Sequence, residues 1–310
     1  MTTPKYIKEQ SNVIINSPSN GIIKKEKIEQ LDRAISYLKN RYNVLEDSNV
    51  RNSVNGASAD VKSRAYELNK ILSDNTIDAV ISVTGGDYLY EILPYINFDT
   101  IIKNPKWFQG QSDTTVLLFI ITTLCDIKTI YSFNATTFGN DYKLPIENNI
   151  NILEGNLIKQ YDYKSTGWIT SNILNTTGRI IGGTLECIMD IIGTKYDIVN
   201  NFIEKYKKDK IIWYFDIDYM NNEQLLRNLL HLDNLGWFKY TDLIILGRYD
   251  GNTYTNINLD DVIKRSIRKD INYIYNFDLG HTDPRITIIN GSIAKIIFNN
   301  QEHSIEFMED

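Results

Sequence analysis

The segment Gly110-Gln111-Ser112-Asp113-Thr114 lies between a predicted strand and a predicted apolar helix. A serine at a sharp strand-to-helix turn exposes its hydroxyl at the carboxyl edge of a sheet, next to free N–H groups of the helix start. Those N–H groups suit the oxyanion that develops in acyl transfer. The pattern is close to a G-x-S-x-G nucleophile elbow with threonine as its last residue. The alternative is that Ser112 only caps the helix, since serine is common at N-caps.

Two other turns could supply partners for such a serine. Thr84-Gly85-Gly86 follows the apolar run Ala79–Val83 and could donate a second N–H to an oxyanion, or it could simply form a tight turn. His281 lies in the turn Gly280-His281-Thr282-Asp283-Pro284 at a predicted strand end. It could act as a general base there, or it could be a turn histidine that bonds Asp283.

Two carboxylates follow the apolar strand Lys210–Phe215, as Asp216-Ile217-Asp218. Carboxylates at this place either orient a catalytic base or are solvated residues at a strand end. A calcium loop is not expected, because the glycine required six positions into such a loop is absent. No phosphate loop or dinucleotide fingerprint occurs, so the sequence predicts no metal and no cofactor.

Composition excludes several classes of protein. The 310 residues carry a net charge of −6, which disfavours nucleic acid as a partner. The apolar run Val116–Cys125 is too short to span a bilayer, and Met1–Gln10 has no apolar signal region, so we expect a cytoplasmic protein without a membrane partner. Two cysteines cannot form a disulfide framework.

The elements that must position these residues change character along the chain. Residues 1–150 alternate short apolar strands with helices, which predicts an α/β domain with a parallel, doubly wound, flavodoxin-like sheet that carries Ser112. Asn134 to Thr177 is polar and irregular, and we assign residues 151–177 as a connection. Residues 178–310 predict a smaller mixed α/β domain whose last strands, Arg285–Ile289 and Ile293–Phe298, form hairpins.

Taken in order, these segments resemble the LD-carboxypeptidase family of serine peptidases, and most closely its microcin C self-immunity branch. The resemblance rests on the order and spacing of many short motifs. These are Ser17-Pro18-Ser19, Ser63-Arg64-Ala65, Leu68-Asn69, Gly85-Gly86, Leu93-Pro94, Asn104-Pro105-Lys106, Gly110-x-Ser112-Asp113-x-Thr115, Gly182-Gly183-x-Leu185, Gly193-Thr194, Arg227-Asn228-Leu229, Gly236-Trp237-Phe238, Gly247-Arg248 and Asp278-x-Gly280-His281-Thr282-Asp283-Pro284.

The resemblance implies a Ser–His–Glu triad in which Ser112 matches the nucleophile and His281 the base. The family glutamate falls at Asp216, which is one methylene shorter. The backbone N–H groups of Gly86 and Asp113 would match the oxyanion hole.

The substrate pocket departs from the family pattern at two positions. The usual tyrosine before the nucleophile is Gln111, and the Gly-Gly-Tyr loop reads Gly85-Gly86-Asp87. Gly85, Gln111 and Trp168 are therefore the candidate substrate contacts. Trp168 could stack on a purine, although ordinary packing is the simpler interpretation.

The function that this resemblance implies is metal-independent hydrolysis of an amide bond in a small peptide-like substrate, by a protein expected to form a homodimer. An aminoacyl-nucleotide conjugate is the favoured substrate, as for a microcin immunity peptidase. A murein tetrapeptide is the alternative substrate. A catalytically silent, ligand-binding relative is the alternative function, because of the departures at Asp87, Gln111 and Asp216.

Overall fold

The computed structural model describes residues 1–156, 159–163, 167–170, 173–249 and 251–309. The chain divides into two compact units. The first comprises Met1–Ile158 and Thr287–Gly291, and the second comprises Lys159–Ile286 and Ser292–Asp310. Within the described ranges, no helix has the length and apolar character needed to cross a membrane.

Strands and helices alternate through the first half of the chain. In chain order they are β1 (Asn12–Asn16), α1 (Lys25–Leu38), β2 (Asn43–Glu46), α2 (Val61–Ser73), β3 (Ala79–Ser82), α3 (Phe98–Lys103), β4 (Trp107–Gly110), α4 (Thr115–Leu124), β5 (Thr129–Tyr131) and α5 (Lys143–Leu153). Short 3₁₀ helices span Leu89–Tyr95, Ser112–Thr114 and Ala135–Gly139. Local sequence sets several of these boundaries; for example, the Asp60 carboxylate caps α2 by accepting from the N–H groups of Lys62 and Ser63.

The second half of the chain is richer in strands. Its elements are β6 (Gln160–Tyr161), β7 (Ile169–Thr170), β8 (Leu174–Thr184), α6 (Leu185–Met189), α7 (Val199–Lys205), β9 (Ile211–Asp216), α8 (Asn222–Asn234), β10 (Thr241–Gly247), α9 (Leu259–Ser266), β11 (Asn272–Phe277), β12 (Ile288–Asn290), β13 (Ile293–Phe298) and β14 (His303–Met308). A 3₁₀ turn spans Lys207–Asp209.

The first unit contains a six-stranded sheet in the order β2-β1-β3-β4-β5-β12. Its first five strands are parallel, and β12 adds to β5 in the antiparallel direction. This order is the flavodoxin-like one, so the predicted doubly wound fold is confirmed. The direction of strand progression reverses between β1 and β3, and open sheets bind ligands at the carboxyl ends of the strands beside such a reversal.

The second unit contains an eight-stranded mixed sheet in the order β6-β14-β13-β8-β9-β10-β11-β7. Strands β8 to β11 are parallel, while the outer strands on both sides run antiparallel to their neighbours. Every residue of β9 is buried. The predicted mixed α/β character of this half is confirmed, and its parallel strands again end at one edge.

Two expectations about local structure were wrong. The strand expected at Arg285–Ile289 is shorter, at β12, and it pairs with β5 of the first sheet rather than in a hairpin of the second. The polar stretch from Asn134 contains helix α5, whose asparagines mask an apolar stripe at helical spacing: Ile146, Ile150 and Leu153 are buried. The bounds assigned to the two domains and their connection stay a prediction.

Candidate functional site

Ser112 occupies the sharp turn between β4 and α4, and its backbone is left-handed with φ of +59°. A non-glycine residue rarely adopts this conformation, and such strain concentrates at functional sites. The N-cap of the 3₁₀ helix Ser112–Thr114 is Gln111, and the N-cap of α4 is Thr114. Ser112 is therefore not the N-cap of either helix, which removes the simple capping interpretation.

Gly85 makes this turn possible by packing directly against the serine. A Cβ atom placed on Gly85 would lie 2.6 Å from Ser112 Cβ and 2.8 Å from Ser112 Oγ. These separations are shorter than any ordinary carbon contact, so the position excludes every residue with a side chain unless the turn shifts. The next residue, Gly86, is half-buried with φ of +145°.

Asp113 ties three loops of the first unit together through its buried carboxylate. Oδ2 accepts a hydrogen bond from the Ser19 hydroxyl and another, of 2.9 Å, from the N–H of Leu89. The Ser19 hydroxyl in turn accepts from the N–H of Tyr88 at 3.1 Å. Burial raises the pKa of Asp113, and the Ser19 hydrogen bond offsets part of that rise. The network fixes the loop after β3 against the serine turn.

Arg64, which belongs to one of the sequence motifs, is buried and joins several loops of the first unit. Its side chain is 1% exposed and donates to the carbonyls of Ala59 at 3.0 Å, Pro18 at 3.0 Å and Tyr88 at 2.7 Å. It also pairs with Glu91. An arginine at an inward-facing position of a predicted helix, close in sequence to loops, is the signal that could have suggested these contacts.

Gln111, a predicted substrate contact, is buried, and its N–H donates to Asn134 Oδ1 at 3.1 Å. Asp87 is exposed at the surface of the first unit. Both departures from the family pattern thus flank the serine turn and the Gly85-Gly86 loop in sequence, one buried and one in solvent.

In the second unit, the structure brings His281 and Asp216 together. The Nδ1 atom of the His281 ring lies 2.8 Å from Asp216 Oδ2. Asp216 is fully buried at the end of β9, where Thr184 Oγ1 also donates to Oδ2 at 3.3 Å. The carboxylate of Asp283 pairs instead with Arg285 at 2.7 Å, so the interpretation of His281 as a turn histidine bonding Asp283 is wrong.

Gly280 allows His281 and Asp216 to approach each other in the second unit. Its φ is +103°, a conformation that favours glycine, and a Cβ atom there would overlap the Asp216 carboxylate. The chain can therefore turn closely over Asp216 and present the next residue, His281, to it. This close approach helps the short side chain of Asp216 reach the imidazole.

Asp218 also faces the histidine, on the opposite side of the ring. Its Oδ2 atom lies 3.4 Å from His281 Nε2. Burial lowers the pKa of His281, but the carboxylates of Asp216 and Asp218 outweigh burial and raise it above its ordinary value. Within the described part of the chain, no group of three or more histidine, cysteine or acidic residues is arranged to hold a metal ion.

Trp168, a candidate substrate contact for which packing is the simpler interpretation, is packed inside the second unit. It is 4% exposed, its ring centroid lies 4.1 Å from that of Phe277, and its indole N–H donates to Asp278 Oδ2 at 3.1 Å. The Asp278 carboxylate also pairs with Arg248. These contacts account for the tryptophan by packing, and its role toward a substrate stays a prediction.

Comparison with known proteins identifies the family. Residues 13–132 match the LD-carboxypeptidase N-terminal domain, and residues 177–296 match the C-terminal domain of the same family. Together the two matches cover well over half of the chain. The chain belongs to the LD-carboxypeptidase family. The resemblance inferred from the motifs is thereby confirmed.

Curated relatives extend over most of the chain. A putative carboxypeptidase of Vibrio cholerae is 26% identical and covers 89% of this chain and 90% of its own length. The microcin C7 self-immunity protein MccF of Escherichia coli is 27% identical over 80% of this chain and 79% of its own. These matches agree with the predicted microcin-immunity branch, and the family is one of carboxypeptidases.

Solved structures of the same branch share the fold. A mutant of MccF in complex with adenosine monophosphate has a TM-score of 0.85 at 22% identity and covers 100% of this chain and 99% of that one. MccF in complex with glutamyl sulfamoyl guanosine has a TM-score of 0.83 at 21% identity, covering 99% and 98%. An MccF-like protein from Bacillus anthracis has a TM-score of 0.84 at 22% identity, covering 100% of both chains.

Proposed function

We propose that this protein is a serine peptidase that cleaves an amide bond, with Ser112 as nucleophile, His281 as general base and Asp216 as the acid that orients the imidazole. The observation that carries the proposal is the 2.8 Å separation of His281 Nδ1 and Asp216 Oδ2. This value lies within the reach of about 2.6–3.2 Å that such a pair requires. Aspartate orients histidine in many triads, so the shorter side chain is compatible with activity.

The reaction follows from these roles. Ser112 Oγ attacks the carbonyl carbon while its proton passes to Nε2 of His281, and the imidazolium then gives that proton to the leaving amine. A water molecule next attacks the acyl-enzyme, the imidazole takes the proton of that water, and Ser112 recovers it. Asp216 remains ionised throughout and stabilises the imidazolium.

The oxyanion would be held by the backbone N–H groups of Gly86 and Asp113. The turn at Ser112 brings the start of a helix behind the hydroxyl, and Gly85 packs against the serine, so the loop after β3 is adjacent to it. Donors fixed in advance cost no reorganisation when negative charge develops, which makes them effective in catalysis. Arg64 and the Asp113 carboxylate would act here by keeping the two loops in register.

The proposed substrate is an aminoacyl-nucleotide conjugate. The support is family membership together with the solved MccF complexes, which contain aminoacyl sulfamoyl nucleosides. A murein tetrapeptide is the second candidate, because a probable murein peptide carboxypeptidase of Bacillus subtilis is 24% identical over 50% of this chain. A silent binding protein is the third candidate, supported by the residues Asp87, Gln111 and Asp216.

The test compares the purified protein with its Ser112→Ala variant. Each is incubated separately with an aspartyl sulfamoyl nucleoside and with a murein tetrapeptide, and products are read by mass spectrometry. We expect the wild-type protein to release the amino acid from the first substrate and the variant to release none. Cleavage of the tetrapeptide alone would reassign the substrate.

A fluorophosphonate probe gives a second readout of the nucleophile. Labelling of wild type but not of Ser112→Ala would support the serine mechanism even with an unknown natural substrate. Identical behaviour of the two proteins toward the probe and both substrates would overturn the proposal and favour the binding protein. We also propose the homodimer that the family resemblance implies, which light scattering coupled to gel filtration would test.

A further inference from the structure

The His281 ring lies between two carboxylates, one at each nitrogen. Nδ1 is 2.8 Å from Asp216 Oδ2, and Nε2 is 3.4 Å from Asp218 Oδ2. The second distance is that of an ion pair rather than of a tight hydrogen bond. Asp216 is fully buried, whereas the side chains of Asp218 and His281 are 20% and 26% exposed. The two carboxylates thus differ in solvation although both face the same ring.

Hydrogen bonds with other side chains hold the backbone of the loop that carries Asp218. Glu186 Oε1 accepts hydrogen bonds from the N–H groups of Asp218 at 3.0 Å, Tyr219 at 2.8 Å and Met220 at 3.1 Å. The Tyr249 hydroxyl donates to the carbonyl of Met220. Four hydrogen bonds therefore fix the backbone of the three-residue loop from which the Asp218 side chain reaches the ring.

The other charged groups around the ring are largely compensated within the described part of the chain. Arg248 pairs with Asp278 and donates to Thr282, the residue after the histidine. Arg285 pairs with Asp283 at 2.7 Å.

Two further titratable groups belong to the elements around the histidine. Burial raises the pKa of Tyr249 to about 12, so its phenol is neutral at physiological pH. One carboxylate oxygen of Glu186 accepts hydrogen bonds from the N–H groups of residues 218–220.

A cavity of about 400 Å³ opens beside this arrangement, wholly within the second unit. Its lining includes Asp218, Met220, Tyr249, Asn252 and His281. His281 and Asp218 thus both border this cavity, while the Nε2 atom itself is shielded from solvent. Because Nε2 lies 3.4 Å from Asp218 Oδ2, a proton carried on Nε2 lies beside the Asp218 carboxylate.

We propose that Asp218 is a positioning residue that acts through His281, stabilising the proton on Nε2 whenever the ring is an imidazolium. Its catalytic consequence rests on the proposed function. In the proposed reaction, the proton leaves Ser112 Oγ, resides on Nε2 and departs with the leaving amine. Asp218 remains ionised throughout and takes no proton. The same contact holds the resting enzyme in its protonated form to higher pH, so the neutral base becomes available later on an alkaline titration.

The test is a proton NMR titration of the histidine ring signals in the full-length protein. The chain has three histidines, so His231→Gln and His303→Gln variants assign the His281 signal. We expect Asp218→Asn to move the titration midpoint of His281 to lower pH. Asp218→Glu, which keeps the charge, should keep most of the elevation. Asp162→Asn is the matched control, because it removes a carboxylate 3.2 Å from a different ring, His303, and should leave His281 unchanged.

An unmoved His281 midpoint in folded Asp218→Asn, judged by circular dichroism, would overturn the proposal. The NMR titration needs no substrate, so its result stands even if the Ser112 experiment fails. With an active enzyme, the acid limb of the kcat/KM profile should move in the same direction as the NMR midpoint. A purely structural role would lower activity at all pH values without moving either curve.

Discussion

The two units prepare their candidate catalytic groups by different physical means. In the first unit, Ser112 is set by backbone conformation and by close packing, with φ of +59° and Gly85 directly against its side chain. In the second unit, Gly280 lets the chain turn closely over Asp216, and the ring of His281 is then influenced mainly by charge, between the carboxylates of Asp216 and Asp218. Both groups lie at carboxyl ends of parallel strands, so the same kind of sheet edge carries a group positioned by packing in one unit and a group positioned mainly by charge in the other.

The difference predicts opposite sensitivities. A site fixed by sterics should be damaged by one added methyl group, even when no charge changes. A site fixed by charge should be damaged by an isosteric neutral residue, even when no volume changes. An added methyl group is therefore the sharpest probe of the first unit, and an isosteric neutral residue is the sharpest probe of the second.

The largest effect is expected from Asp216→Asn. The variant keeps the shape of the side chain but removes the buried charge that faces Nδ1, and the amide can present its N–H₂ to the ring and favour the wrong tautomer. By comparison with other Ser–His–Asp triads, kcat should fall on the order of 10⁴-fold. Steady-state hydrolysis of the substrate identified by mass spectrometry measures it.

Asp233→Asn is the control for Asp216→Asn. Asp233 pairs with Arg268 on the surface of the same unit, so its loss should leave the rate unchanged. If Asp216→Asn retained near-normal kcat, the second unit would not work by charge and Asp216 would have no role as the orienting acid.

Gly85→Ala should give the next largest effect, and it is the steric counterpart in the first unit. The new methyl group would lie 2.6 Å from Ser112 Cβ, so the turn must move. A displacement of about 1 Å can cost roughly 10²-fold in rate, and we expect a loss of that size in kcat. Single-turnover kinetics with the same substrate would measure it.

Gly193→Ala is the matched control for Gly85→Ala. A Cβ atom placed on Gly193 would meet no heavy atom within 4 Å, although the φ of +77° makes alanine strained there. We expect this variant to lower stability without lowering kcat. Equal losses of kcat in both variants would mean that general destabilisation, not displacement of the serine, explains the result.

A smaller effect is expected in the pH dependence of activity that comes from His281 in the second unit. The general base must be neutral, and the carboxylates beside His281 raise its pKa above the ordinary value of 6.5. The acid limb of kcat/KM should therefore have its midpoint above 6.5, with activity falling about tenfold per pH unit below it. A midpoint at or below the ordinary value would contradict the charge-based arrangement.

Stability should respond to pH with the opposite sign. Because the folded-state pKa of His281 is raised, the stabilisation from its protonated form is fully present below the unfolded-state pKa and is lost as pH rises through the folded-state pKa. The difference in unfolding free energy between wild type and His281→Gln should shrink over that range. Denaturant titrations at several pH values would show it.

The candidate site of the first unit is easier to predict from the sequence than that of the second unit. The elbow around Ser112 is predictable because Gly110, Ser112 and the apolar helix are adjacent in the chain. The flavodoxin-like strand order follows from alternating elements. The sequence marks Asp218 only as one of two carboxylates after an apolar strand, because its contact with His281 depends on residues more than sixty positions apart meeting at one edge of the sheet.

Two structural misses have the same origin. Strand β12 has three residues, and its pairing with β5 joins distant parts of the chain, which local alternation cannot reveal. Helix α5 is rich in asparagine, a residue of modest helix propensity, so its sequence resembles irregular chain although it carries a buried stripe. Tertiary packing decides both cases.

The smallest effect tests the backbone strain at Ser112 without reference to catalysis. Ser112→Ala and Ser112→Gly both remove the hydroxyl, but only alanine keeps a Cβ atom at φ of +59°. The left-handed conformation costs a residue with a side chain roughly 1–2 kcal/mol, and the greater freedom of glycine in the unfolded chain offsets roughly 0.5–1 kcal/mol of that difference. The glycine variant should thus be more stable by about 0.5–1 kcal/mol.

Ser36, exposed in the middle of α1, supplies the reversed control for this pair of variants. There glycine should be less stable than alanine by about 0.5–1 kcal/mol, because the helix offers no strain to relieve. Denaturation followed by fluorescence and by hydrogen exchange of the α4 amides would compare the four variants. If glycine were also the less stable residue at position 112, the turn would not be strained, and the first unit would position its serine by packing alone.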